Sequence, residues 1–169
     1  KLYLILFILI PIYISQKYHE DFGYYHLPHI INFYNEKIIF GLANTNLAFI
    51  HNSLWLNILN LFYVGNINFI TIPTFILYAA FIIFSLNEIL NNTKKRYSIF
   101  FLLICTLYIL LKFTRISEFG NDLPATLFSL LTIFYFLKYF EITQAKIKLS
   151  YFYLILSFSI FSILIKFSS

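Results

Sequence analysis

Two short clusters hold most of the side chains that could do acid–base or ligand chemistry in this chain. The first is Tyr18-His19-Glu20-Asp21-Phe22-Gly23-Tyr24-Tyr25-His26-Leu27-Pro28-His29. The second is Arg115-Ile116-Ser117-Glu118-Phe119-Gly120-Asn121-Asp122. Glu20 and Asp21 are suited to general-base work on an acceptor hydroxyl, or to binding a metal. An acidic pair is also an ordinary solvated loop feature, or an N-cap for the helix that follows. His26 and His29 share one helical face at i and i+3. With Asp21 or His19 completing the set, they could hold a divalent metal ion. No HExxH or cysteine-rich pattern accompanies them, which favours two interfacial histidines instead.

In the second cluster, Asp122 precedes Leu123-Pro124 and reads as the N-cap of a helix with proline in its first turn, worth about 1 kcal/mol. The same carboxylate would face the loop, where it could serve catalysis or substrate binding. Arg115 suits a phosphate, because a guanidinium matches two phosphoryl oxygens at once. It would serve equally as a headgroup anchor. Two further stretches carry candidate binding residues, Gly41-Leu42-Ala43-Asn44 and His51-Asn52-Ser53-Leu54-Trp55. Trp55 reads as an interfacial anchor, or as a ring on which a sugar could stack. Nucleotide-binding glycine loops, a P-loop and a serine-hydrolase elbow are all missing from the sequence.

These residues must be positioned by very apolar elements. The chain is 60% hydrophobic and 11% charged, with a mean hydropathy of +0.80. A soluble domain carries about 25% charged residues. Long apolar runs with charges confined to the gaps indicate a multi-pass membrane protein, and the absence of strand alternation indicates helices. The expected spans are about 2–14, 67–89, 97–113, 123–140 and 151–167. The fold class is therefore an all-α, polytopic transmembrane bundle, a single domain over 1–169.

The net charge of +5 does not point to nucleic acid. Lys94, Lys95 and Arg96, like Lys146 and Lys148, sit in short gaps and set topology. They place both gaps in the cytoplasm, so loops 15–66 and 114–122 share the opposite, periplasmic face. Lys112 and Arg115 lie on that disfavoured side, where a basic pair either snorkels to headgroups or binds an anion. Lone Cys105 lies mid-run and reads as a small core residue.

The long loop carries two amphipathic patterns. Leu27, Ile30, Ile31 and Tyr34 make an apolar stripe, with His26 and His29 opposite, over about 27–35. A second helix is expected over about 49–64, interfacial or re-entrant, because a full crossing would put Lys94, Lys95 and Arg96 outside. The chain begins with Lys1, its first apolar run is short and its last run ends the sequence. It reads as a fragment of a longer protein, lacking residues before Lys1 and several helices at the C-terminus.

An acidic motif just after the first span, amphipathic helices in a long first outer loop, and a second acid in the next outer loop resemble the layout of the GT-C membrane glycosyltransferases. More closely, Asp21-x-Gly23-x-Tyr25-His26-Leu27, Gly41-Leu42-x-Asn44, Asn52-Ser53-x-Trp55 and Asn121-Asp122-x-Pro124 are similar to motifs in a group of uncharacterised bacterial GT-C-like integral membrane proteins. The resemblance runs from the first span to the fourth. It implies a fragment of a glycosyltransferase in the bacterial inner membrane. The partners it implies are the bilayer and a polyprenyl-phosphate-linked sugar, with an envelope acceptor on the periplasmic face. Asp21 matches the first-loop acid, a base or metal ligand, with Glu20 beside it; Asp122 matches the second-loop acid. Arg115, His26, Tyr25, Trp55 and Asn44 are the candidate substrate-binding residues, and Asp21, His26 and His29 the candidate ligands for a divalent metal ion. The order Glu20-Asp21 departs from the Asp-Glu pair common in GT-C enzymes. The competing classes are a transporter or polysaccharide-export component, for which acids are expected inside the spans, and a non-enzymatic membrane assembly protein.

Overall fold

The computed structural model describes residues 2–15, 22–36, 44, 53–91, 97–116 and 119–166, with only the backbone at 2–6, 25 and 36. Among the described residues all regular structure is helical. In chain order the helices are α1 (Leu2–Ile14), α2 (Leu27–Glu36), α3 (Leu54–Leu61), α4 (Ile72–Asn91), α5 (Tyr97–Leu111), α6 (Asp122–Glu141) and α7 (Ala145–Ile165). A π-helical turn, Phe22–His26, leads into α2. Three helical segments, Ile67–Asn91, Asp122–Glu141 and Ala145–Ile165, are long and apolar enough to cross a membrane.

Local chemistry sets the helix ends. Ser53 is the N-cap of α3, its Oγ accepting from Trp55 N at 3.2 Å. Beyond Leu61 the backbone folds back: Phe62 N donates to Leu59 O at 3.0 Å and Tyr63 N to Asn60 O at 3.0 Å. Gly65 then turns the chain at φ 71°, a left-handed backbone that glycine adopts without a Cβ penalty. The helix expected over 49–64 is therefore the shorter α3 within the described residues. Asn66 caps the 3-10 turn that opens the next run, accepting from Asn68 N at 2.9 Å.

Two buried clusters hold the helices together. The larger draws Leu9 from α1, Tyr78, Phe81 and Ile82 from α4, Leu102, Cys105 and Ile109 from α5, and Leu123, Leu127 and Phe134 from α6. Cys105 is thus a core residue, as expected. Tyr78 places its hydroxyl on the α5 carbonyl of Ile109 at 3.0 Å. Helices α6 and α7 form the most extensive pair. Ser129 and Ser162 approach to 2.7 Å across it, and Ser162 also donates to Ala125 O at 3.2 Å. Small hydroxyl residues of this kind allow close backbone approach between apolar helices.

At the end of the bundle where α4 and α6 finish and α5 starts, carboxylates are spoken for. Glu141 accepts from Ser98 N at 2.9 Å and from Ser98 Oγ at 2.6 Å, satisfying the first turn of α5. Lys138 is buried, pairs with Glu88, and lies 4.9 Å from the Phe134 ring centre. Removing one partner of such a pair strands a charge away from water and costs about 3 kcal/mol. Glu88→Gln is expected to lower the thermal unfolding midpoint of the detergent-solubilised protein, and Glu88→Lys combined with Lys138→Glu to recover most of the loss. Equal midpoints for Glu88→Gln and wild type would show that the pair does not tie α4 to α6.

Candidate functional site

The second cluster gathers residues far apart in sequence at the other end of the bundle. Phe22, Ile30, Trp55, Leu56, Leu59, Ile70, Phe119, Ala125 and Ile165 are buried together. The Phe22 and Phe119 rings are 3.9 Å apart. Ser53 Oγ donates to Ile165 O at 2.7 Å, fastening the start of α3 to the end of α7. This joins α2 and α3 as a cap over the α6–α7 end. The loop expected to face Arg115–Asp122 does meet it, through Phe22 and Phe119.

Beside this cluster lies a pocket of about 360 Å³, lined by Lys112, Arg115, Asp122, Leu123, Ala125, Thr126, Ser129, Leu130 and Lys166. Its volume is at the lower end of small-molecule sites, about 300–1,000 Å³. From Asp122 to Leu130 its wall runs roughly 12 Å along α6, at 1.5 Å per residue. Charge is concentrated at the Asp122 end. Lys166 Nζ is 2.7 Å from one Asp122 oxygen, and Arg115 is 3.8 Å from the other. Lys112 lies 4.5 Å from the Tyr108 ring centre. The described lining thus carries three cations against one carboxylate.

Asp122 differs from its expected local role. The N-cap position of α6 is Asn121, with no side-chain cap bond, and Asp122 is the first helical residue. Its carboxylate goes to Lys166 and Arg115 because two full charges attract it more than one amide does. Pro124 does sit in the first turn of α6. Asn121 Oδ1 is buried and has no hydrogen-bond partner among the described residues.

Of the other candidates, Glu20 and Asp21 lie outside the described residues, as does the side chain of Tyr25. Asn44 is exposed. Trp55 is 5% exposed in the core of the cap, a packing group and not an open ring face. His26 and His29 are buried, where the amphipathic pattern put them opposite the apolar stripe. That pattern missed their neighbours: His29 lies 4.5 Å from the Phe33 ring and faces Asn57 of α3, and His26 is an electrostatic neighbour of Asp122. Tyr34 of the apolar stripe is exposed and meets Tyr63 edge-on at 5.1 Å. Of the proposed metal set, Asp21 is outside the described residues. Among the described residues no three His, Cys, Asp or Glu side chains group to hold a metal. Sequence reasoning overlooked Lys166. The signal was a lone cation closing an apolar run, on the same side as Lys112 and Arg115.

Among the described residues, fold and site define a helical protein, with three helices of membrane-crossing length and a cation-rich pocket at one end of the bundle. A family model described as a domain of unknown function (DUF8201) matches residues 1–169, and the chain belongs to that family. Neither the curated proteins nor the solved structures contain a match.

Burial pushes the pKa of His29 below the ordinary 6.5, and the polar Asn57 side chain beside it offsets part of that. The folded cap therefore holds fewer protons on His29 than the unfolded chain does. Packing of α2 on α3 is at full strength above about pH 6.5 and weakens as pH falls below it. The sole tryptophan, Trp55, reports on this cap. Its emission is expected to shift red between pH 7 and pH 5, and the shift to shrink in His29→Gln. An unchanged shift in that variant would exclude His29 as its cause.

Proposed function

We propose that the protein is the N-terminal part of a GT-C-like glycosyltransferase of the bacterial inner membrane. It transfers a sugar from a polyprenyl-phosphate donor to an envelope acceptor on the periplasmic face. One observation carries the reading. Arg115, Asp122, Lys112 and Lys166 converge on one pocket where apolar helices end, beside a cap built from the first loop. Cations at that position suit a lipid-linked phosphate, and a carboxylate beside them suits an acceptor hydroxyl.

In this mechanism Arg115 and Lys166 neutralise the donor phosphate as the glycosidic bond to it breaks. Lys112 adds a third cation to the pocket lining. Asp21, one residue before Phe22, takes the acceptor proton, and Asp122 orients the acceptor. Donor and acceptor bound together would cover the exposed Asp122 carboxylate, and displacing that water would strengthen these contacts. A transporter reading has one feature in its favour, the Glu88–Lys138 pair between α4 and α6. That pair is closed on itself at the far end of the bundle, which favours surface chemistry.

The test is sugar transfer from a polyprenyl-phosphate donor by the full-length protein in membranes. Asp21→Asn and Asp122→Asn are each expected to lower turnover about 100-fold or more, the usual contribution of a positioned base. Turnover like wild type in Asp21→Asn would remove the proposed base. Donor binding without any turnover by wild type would identify an assembly protein instead.

A further inference from the structure

The carboxylate of Asp122 sits where an anionic ligand would sit. Its two oxygens are divided between two cations that come from different elements. Lys166, just past the end of α7, is 2.7 Å from one oxygen, and Arg115, in the turn after α5, is 3.8 Å from the other. The pair with Lys166 has normal hydrogen-bond length, whereas that with Arg115 is long and does not use the guanidinium fork. Lys112 adds a third cation to the same pocket. The guanidinium fork and two ammonium groups match the oxygens of a phosphate. Thr126 and Ser129 line the pocket on the α6 side. Their hydroxyls already donate or pair within the bundle, Thr126 to Asp122 O at 2.7 Å and Ser129 with Ser162 at 2.7 Å. The cations are thus the groups that select the ligand.

We propose that Asp122 is a built-in plug in a phosphate site. An incoming phosphate monoester or diphosphate takes over Arg115 and Lys166, and Asp122 is left as a carboxylate beside the bound phosphate, released from both cations. No bond is made or broken in this step; two ion pairs are exchanged for others. The proposal deepens the glycosyltransferase reading, since a carboxylate freed only when donor is present orients the acceptor only then. Phosphate binding itself does not need that reading to hold.

The plug makes an unusual prediction, because deleting an acid from the site should improve binding. In the full chain in lipid nanodiscs, Asp122→Asn is expected to bind inorganic diphosphate about tenfold more tightly than wild type. Arg115→Gln and Lys166→Gln are expected to bind it about tenfold more weakly. Asp122→Ser, which keeps a residue suited to a helix start, is the second variant should Asn disturb folding, with helicity by circular dichroism as the check. Equal or weaker binding in both Asp122 variants, with helicity retained, overturns the plug. Inorganic phosphate and diphosphate added to nanodiscs of phosphatidylcholine alone measure a free ligand. Nanodiscs containing phosphatidic acid measure a lipid headgroup, and competition from that lipid identifies the headgroup as the source. Tighter binding in Asp122→Asn together with no sugar transfer by wild type would retain the plug and overturn only the glycosyltransferase reading.

Discussion

The site exists because one apolar cluster gathers pieces of chain that are far apart in sequence. Phe22, Trp55, Ile70, Phe119 and Ile165 are buried against one another at a single end of the bundle. Aromatic rings of this size exclude water from the base of the cap. They bring the turn after α5, the first turn of α6 and the last residue of α7 to one place. Without that cluster the charges around Asp122 would belong to separate loops. With it they share a pocket.

The two ends of the bundle treat charge in opposite ways. Where α4 and α6 end, each described carboxylate meets a matched donor: Glu88 meets Lys138, and Glu141 meets the Ser98 amide and hydroxyl. Such pairs fix helices against one another and leave little for a ligand to gain. At the pocket end the described cations outnumber the carboxylate. Asp122, Arg115 and Lys166 are each more than a third exposed, so water screens that imbalance but leaves it open to an arriving anion. This difference is the physical ground for assigning structure to one end and chemistry to the other.

Helix formation was legible in the sequence because long apolar runs without alternation permit little else. Helices cover all five runs, although α7 starts at Ala145, earlier than the run itself, because Lys146 and Lys148 are compatible with helix. Arg115 and Asp122 were legible as a pair through their spacing around a short loop. Lys166 was not, since nothing local says that the end of the last helix returns to the start of the one before it. The buried histidines were misread for a similar reason. A stripe pattern assumes one apolar neighbour, the bilayer, whereas His29 faces Asn57 on a second helix. Trp55 illustrates the same limit, because an aromatic near a membrane end can face outward or close a core, and only the fold decides which.

The serine contacts between α6 and α7, and the Tyr78 bond between α4 and α5, have a mechanical consequence. Asp122 and Lys166 belong to the α6–α7 pair, and Arg115 to the turn after α5. Ile109 and Ile116 pack on Leu123 and Leu127 between them. A change in that packing would leave the lysine contact at 2.7 Å nearly unchanged. It would alter the arginine contact at 3.8 Å, so the fit of α5 against α6 is read out by a single guanidinium.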